Sequence, residues 1–390
     1  MGPLDGLRII ELQGIGPGPF CAMMLADMGA EVIRVDRTGA AGGLPRAERF
    51  DLLARGRRSI RLDLKSPRGI DILMRMVDKS DGLIEGFRPG VIERLGIGPD
   101  QLLERNPAIV VGRMTGWGQE GPISHISGHD INYVALSGAL FNFGTKDGPP
   151  SPPLNLVGDF GGGGMLLAFG MVSAILKAKL SGEGQVVDAA MVDGASILST
   201  SFFGQLAEGR LQEGRGTHPL NGASHYYDAY QCADGEYISI ASAEPQFYTE
   251  LKQRLELSDE DFGEQMKPKL WPEQKDKLAA IFLSKSRDEW CELLQDSDIC
   301  FAPVLRFAEA PEHPHNKERN AFVEIEGVVQ PAPAPRFSAT PGEVSGPPAA
   351  RGEHTDELLA EWGYSASEIT DLHAAGVVKG TDDKAASQTA

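Results

Sequence analysis

Short apolar runs alternate with helical patterns through the first 115 residues, and this alternation limits the possible folds more than any other feature. Leu7-Arg8-Ile9-Ile10-Glu11-Leu12, Glu31-Val32-Ile33-Arg34-Val35, residues 82–85 and residues 109–113 read as strands. Helical patterns over 20–28, 67–79 and 89–95 lie between them. Successive strands joined through helices pair in parallel, with the helices on the faces of the sheet, so an α/β fold is expected. A further helix is expected over 162–180, where Gly161–Gly164 permit close backbone approach at its start. Its apolar part carries Lys177 and Lys179 and is short for a bilayer, so the expectation is a buried helix and no membrane.

The pattern changes after residue 208. Residues 209–224 are polar and glycine-rich and read as a linker. A smaller α+β domain is expected over 225–330, with strands near 226–231 and 237–241 and helices near 246–256 and 273–284. Residues 331–390 read as a return segment: a proline-rich stretch over 331–348, then two short helices over 355–362 and 367–374. The large first domain thus spans 1–208.

Charge is unevenly divided. The net charge of −18 argues against nucleic acid as a partner. Residues 1–120 nevertheless hold 17 basic against 16 acidic side chains, while the remainder holds 20 against 39. Arg55, Arg57, Arg58, Arg61, Lys65 and Arg68 crowd one short stretch, which is either a solvated face or a local site for a polyanionic small molecule. Cys21, Cys232, Cys291 and Cys300 have neither metal-site nor redox spacing, and a reducing cytoplasm is the expected compartment.

Few motifs carry chemistry on their own. Gly14-Ile15-Gly16-Pro17-Gly18 after a strand, with Asp36 ending the next, resembles a dinucleotide turn. Pro17 and Pro19, however, remove N–H donors that a pyrophosphate needs, and Pro19 stands where a third glycine belongs. His125 and His129 have the i, i+4 spacing of metal ligands, but Gly128 weakens the helix they would share, and no metal is expected. There is no G-x-S-x-G elbow and no phosphate-binding P-loop. His129 and Asp159 each stand next to glycine. Alone, the first reads as a structural histidine and the second as a helix N-cap.

Together the motifs resemble the superfamily of family III CoA-transferases and α-methylacyl-CoA racemases. The resemblance rests on GPGPFCAMMLADMGAEVIRVDR at 16–37, ARGRRSIRLDLKSPRG at 54–69, EGFRPGVIERLGIGP at 85–99 and RMTGWGQEGP at 113–122. It continues through GHDINYVALSG at 128–138, PPLNLVGDFGGGGM at 152–165, GQVVDAAMVDG at 184–194, AEPQFY at 243–248 and GEHTDELLAEWGYSASEI at 352–369. His129 stands where the transferase branch has a tyrosine, which favours the racemase branch. The tyrosine-rich stretch that opens the second domain departs from the family at Ser224-His225. That departure bears on acyl preference.

The resemblance implies a large Rossmann-like CoA-binding domain, a smaller α+β domain, and C-terminal helices packed on the large domain. It also implies an interlocked-ring homodimer. It implies racemisation of a 2-methylacyl-CoA through an enolate, with His129 and Asp159 as the two bases and no cofactor beyond the CoA of the substrate. Asp130 is expected to offer its backbone N–H to the enolate oxygen, Glu244 to orient His129 from the partner chain, and Tyr227 to sit near it. Each direction needs one base charged and the other neutral, so Asp159 must be raised toward the range of an imidazole. CoA contacts fall to Arg37, Leu62, Asp63, Leu64, Lys65, Gly86, Phe87, Arg88 and Arg94. Gly128, Ile131, Asn132 and Tyr133 line the same site. Met165, Met171 and Met191 read either as core residues or as an adaptable acyl surface. The alternative within the superfamily is CoA transfer between carboxylic acids through an Asp159 anhydride.

Overall fold

The computed structural model describes residues 2–39 and 47–381. The chain divides into two compact units, one of Met1–Ser137, Leu154–Leu198 and Asn320–Ala390, the other of Gly138–Pro153 and Ser199–Arg319. The first unit runs β1 (Arg8–Leu12), α1 (Pro17–Asp27), β2 (Glu31–Arg37), β3 (Arg58–Leu62), α2 (Pro67–Val77) and β4 (Gly82–Glu85). It continues with α3 (Val91–Arg94), α4 (Pro99–Arg105), β5 (Val110–Thr115) and α5 (Asp130–Leu136). A π-helical segment, Leu156–Met165, then leads directly into α6 (Leu166–Ser181), β6 (Gln185–Ala190) and α7 (Met191–Leu198).

The second unit holds α8 (Thr200–Ala207), β7 (Tyr227–Gln231), β8 (Tyr237–Ala241), α9 (Pro245–Arg254) and α10 (Asp259–Phe262). It ends with α11 (Trp271–Phe282), α12 (Arg287–Leu294), β9 (Phe301–Val304) and α13 (Pro314–Glu318). The chain returns to the first unit with β10 (Phe322–Ile325), β11 (Val328–Pro331), α14 (Thr355–Glu361), α15 (Ala366–Ala374) and β12 (Val378–Lys379).

The main sheet has the order β12-β3-β2-β1-β4-β5-β6. Every neighbouring pair is parallel except β12 with β3. Side-chain alternation along each strand feeds two separate cores. Ile10, Ile33 and Val111 face α2, α4, α14 and α15, while Ile9, Val32 and Val110 face α1 and α6. The four expected strands are all present. β3 is an addition, because Arg58-Ser59-Ile60-Arg61-Leu62 reads in sequence as charge rather than strand.

Most of the basic stretch is turned inward. Arg55 pairs with Asp27, Arg57 with Glu11, and Arg58 with Glu31 and Glu361. Arg61 donates to the carbonyls of Thr38 at 2.9 Å and Gly380 at 3.1 Å. These four arginines therefore make neither a solvated face nor a polyanion site, and only Lys65 and Arg68 of the group are exposed.

The long helix also differs from expectation. Leu167, Met171, Ala174, Ile175 and Ala178 are buried against the sheet. Met165, Phe169, Val172, Leu176 and Leu180, along the opposite side, are exposed. Leu156–Ser181 is long and apolar enough to cross a membrane by length and composition. Its inner face is nevertheless committed to the sheet, so it is a two-faced helix rather than a buried one.

In the second unit β7, β8 and β9 form an antiparallel sheet in that order. Residues 138–153 and 199–224 belong to this unit, whereas a linker was expected over 209–224. Hydrogen bonds hold the stretch in place. Gly214 N–H donates to Asn142 Oδ1 at 3.3 Å, Asn221 Nδ2 to Gly214 O at 2.8 Å, and Arg215 Nη1 to Phe141 O at 3.2 Å. Ser224 and His225 are fully buried. His225 Nε2 meets Tyr248 Oη at 2.7 Å, and burial pushes the imidazole down to about 4. Ser224 and His225 thus pack in the core of this unit.

Candidate active site

In an open parallel sheet the loops that leave the carboxyl ends of the strands diverge where the strand order reverses, and a crevice opens there. Here the reversal falls between β1 and β4. The loop after β1 is the glycine-proline turn 13–16, and the loop after β4 begins with Gly86-Phe87-Arg88.

The turn after β1 lies against Asp159. Gly16 adopts φ 69°, ψ −118°, and a Cβ built on it falls 3.0 Å from Asp159 Oδ2. The turn is therefore a wall of the Asp159 site. Asp36, which resembled a ribose-binding acid, is buried and accepts from Ser59 Oγ at 2.6 Å and Arg34 Nε at 2.8 Å.

Asp159 lies inside a helical segment that starts at Leu156, six residues before the expected helix, so it is not an N-cap. The glycines after it explain the misreading. They weaken helical propensity, yet they let neighbours approach. A Cβ on Gly162 falls 2.7 Å from Ala195 N, one on Gly163 falls 2.9 Å from Pro17 Cβ, and one on Gly164 falls 2.8 Å from Pro17 O. α1 and α7 thus press directly on the π-helical turn. Such turns recur at functional sites because they re-aim side chains out of the regular helix. Phe20 stacks on Phe160 at 4.6 Å and completes this wall.

α5 supplies the other half. His129 stands at its N-cap, exposed, with its backbone N–H donated to Asn132 Oδ1 at 3.0 Å. The residues before Asp130 are not helical, so His125 and His129 do not share a helix face. Tyr133 is buried and packs edge-on against Trp117 at 4.7 Å. Asp130 Oδ1 accepts the backbone N–H of Asp159 at 2.7 Å, which joins the two segments. Asn155 Nδ2 donates to Asp159 Oδ2 at 3.2 Å. Burial raises the Asp159 carboxyl above the usual carboxylate range; the Asn155 amide opposes this, the Asp130 charge adds to it, and His129 opposes it. His129 is thus near enough to act on Asp159 electrostatically. A carboxyl that holds its proton to higher pH than usual is suited to giving and taking a proton.

The expected nucleotide contacts follow the carboxyl ends of β2, β3 and β4. Arg37 ends β2, exposed, with its guanidinium 5.6 Å from the Phe87 ring. Lys65, Arg88 and Arg94 are exposed, and Arg88 donates to Ser127 Oγ beside Gly128. Lys65 N–H donates to Asp63 Oδ1 at 3.0 Å, which shapes the turn after β3. Leu62 has only its backbone to offer, since its side chain is buried in the core with Leu64 packed against it. Ile131 is exposed on α5. Of the three methionines, Met171 and Met191 are core residues and only Met165 is exposed.

Sequence reasoning missed Glu85. It is fully buried, accepts from Arg113 Nε at 2.8 Å and from Phe87 N–H at 2.7 Å, and so fixes the start of the Gly86-Phe87-Arg88 loop. Its place as the last residue of an apolar strand, just before glycine, was the available signal.

Glu244 and Tyr227 lie in the second unit. Glu244 is exposed at the N-cap of α9, and Tyr227 is half-buried in β7.

A family model of the CoA-transferase family III matches residues 4–355. The chain is 45% identical over 387 residues to the alpha-methylacyl-CoA racemase of Mus musculus, covering 98% of this chain and 99% of that protein. It is 43% identical over 390 residues to the Homo sapiens protein of the same name, again covering 98% and 99%. Among solved structures, Rv3272 from M. tuberculosis matches with a TM-score of 0.75 at 27% identity, covering 91% of this chain and 98% of that one. The chain belongs to the CoA-transferase family III.

Proposed function

We propose that this protein is an isomerase that interconverts (2R)- and (2S)-2-methylacyl-CoA thioesters by a two-base 1,1-proton transfer through an enolate. The observation that carries the reading is the Asp159 carboxyl, raised by burial, on a segment whose backbone is hydrogen-bonded to Asp130, the residue after the exposed His129. Racemase relatives alike over nearly the whole chain support it. In one direction neutral His129 removes the α-proton and protonated Asp159 returns one to the other face. In the reverse direction ionised Asp159 removes it and protonated His129 returns it. Charge on the enolate oxygen is met by the backbone N–H of Asp130. α5 has only seven residues, so this local N–H matters more than a helix dipole.

Glu244 orients the imidazole, with Tyr227 nearby. Arg37, Lys65, Arg88 and Arg94 take the phosphates of CoA. Leu62, Asp63, Leu64, Gly86 and Phe87 line the nucleotide and pantetheine, and Gly128, Ile131, Asn132 and Tyr133 flank the thioester. CoA enters as part of the substrate, and the chemistry asks for no further cofactor. The exposed apolar side of α6 supports a homodimer as the working form. Four unpaired cysteines fit a reducing cytoplasm.

The test is NMR of a (2R)-2-methylacyl-CoA with the pure protein in D₂O and no carboxylic acid. Deuterium entering the α-carbon together with appearance of the 2S thioester is expected. His129→Ala and Asp159→Ala should each lower racemisation by about 10²–10⁴-fold, the contribution of a placed general acid or base. Absence of exchange across a range of acyl chains, with CoA passing to an added acid, would replace this reading by CoA transfer.

A further inference from the structure

We propose that the Asp130 carboxylate is a positioning group for Asp159. It straps the π-helical segment to the start of α5 and keeps a fixed negative charge facing the Asp159 side chain. The proposal rests on the proton-transfer reading of the site and gives the Asp130 side chain a role separate from that of its backbone N–H.

Three observations carry it. First, Asp130 Oδ1 accepts the Asp159 N–H at 2.7 Å, although the two residues are 29 apart in sequence. N–H groups in the first turn of a helix have no partner within the helix, so this bond satisfies one of them and fixes where Asp159 leaves the turn. Second, Asp130 is only 8% exposed, and its Oδ2 has no hydrogen-bond partner among the described residues. A neutral acceptor would make the same strap without leaving a buried carboxylate oxygen unpaired, so the charge itself needs a reason. Third, the residue before Asp159 is Gly158, and a Cβ built on it falls 2.5 Å from Asp130 Oδ1. Only glycine lets the carboxylate reach its place.

A negative charge disfavours ionisation of a second carboxyl nearby and so adds to the upward push that burial already gives Asp159. The ionisable surroundings are few. α5 brings His129, Asp130 and Tyr133, and Tyr133 is itself raised, by burial and then by Asp159. The first turn of α1, Pro17 to Phe20, brings no ionisable group, and Cys21 beyond it is buried. Asp193 of α7 and Asp188 of β6 are exposed, and Arg113 of β5 is paired with Glu85 and Glu93. Lys177 and Lys179 lie in the last turns of α6.

The test follows the Asp159 carboxyl by carbon-detected NMR of protein labelled at aspartate Cγ, its signal identified by loss in Asp159→Asn. Asp130→Asn keeps an acceptor for the Asp159 N–H and removes the charge. The Asp159 midpoint should move to lower pH, and the acid limb of the exchange-rate profile should move with it. Gly158→Ala leaves the charge but displaces the carboxylate from the strap; exchange should fall about 100-fold, as expected for a reacting group misplaced by about an ångström. An unmoved midpoint in Asp130→Asn overturns the charge role. Wild-type exchange in folded Gly158→Ala overturns the strap. The titration needs no turnover, so a wild-type protein that fails to exchange would sink the racemase reading without touching this measurement.

Discussion

At the scale of a single residue, Gly16 shows how a correct reading of backbone can miss its purpose. The spacing of Gly14, Gly16 and Gly18 after a strand correctly marks a turn that demands glycine, and it resembles a nucleotide turn. The structure places the Asp159 carboxylate in tight contact with the position a Cβ at residue 16 would take. Spacing reports the path of the chain and says nothing about which distant side chain comes to rest against it. Gly16→Ala should therefore act on chemistry. It forces a non-glycine residue into a positive-φ conformation, at a cost of about 1–3 kcal/mol. It also crowds the Asp159 carboxylate by a few tenths of an ångström, so kcat for racemisation should drop by about 10-fold. KM for acyl-CoA should change little, because the expected nucleotide contacts lie on other loops. Gly18→Ala, with nothing within 4 Å of the added Cβ, is the matched control, and steady-state kinetics of the two variants checks the difference. His129 and Asp159 were legible as a pair only through the wider resemblance, since each alone has an ordinary structural reading.

At the scale of elements, strands with continuous apolar runs were legible, whereas elements stabilised by something other than apolar pattern were not. β3 hides among arginines whose partners Glu11, Asp27 and Glu31 are remote in sequence. The π-helical segment hides because its four consecutive glycines and widened turn break the 3.6-residue pattern. What holds it is close packing of backbone on backbone. A Cβ on Gly194 of α7 falls 1.8 Å from Gly162 O, so no rotamer change relieves the clash. Gly194→Ala should push α7 off the segment that carries Asp159. A loss of about 1–3 kcal/mol or more is expected from such overpacking, read as a lower denaturant midpoint with an unchanged m value. Racemisation should fall with it in the fraction that remains folded. Gly204→Ala, in α8 of the other unit and with nothing within 4 Å, should leave the rate unchanged and raise the midpoint slightly through helix propensity.

At the scale of the whole molecule, the outward side of α6 is the feature a single chain leaves unexplained. Met165, Phe169, Val172, Leu176 and Leu180 recur at helical spacing, with Phe169 73% and Leu180 79% exposed. Sequence alone read this helix as buried because its hydropathy is uniform; it could not tell which side meets its own sheet. A stripe of this kind is the surface on which the proposed homodimer is tested. Replacing Leu176 by Glu should shift the protein toward monomer in sedimentation velocity. Burial of such a side chain contributes roughly 1.5–3 kcal/mol, and a dimer presents the stripe twice. The sharper question is whether Glu244 serves the His129 of its own chain or of its partner, and mixed dimers answer it. In a dimer of one His129→Ala chain and one Glu244→Ala chain, service across the interface leaves one site with both residues intact. Service within a chain leaves none. Statistical co-assembly of the two inactive variants should then restore about one quarter of wild-type sites if Glu244 works in trans. Co-expression followed by purification on two different tags isolates the mixed species, where about half of wild-type activity per dimer is the expected result. Mixed dimers no more active than the two parents would assign Glu244 to its own chain, and the site would then be complete without exchange between subunits.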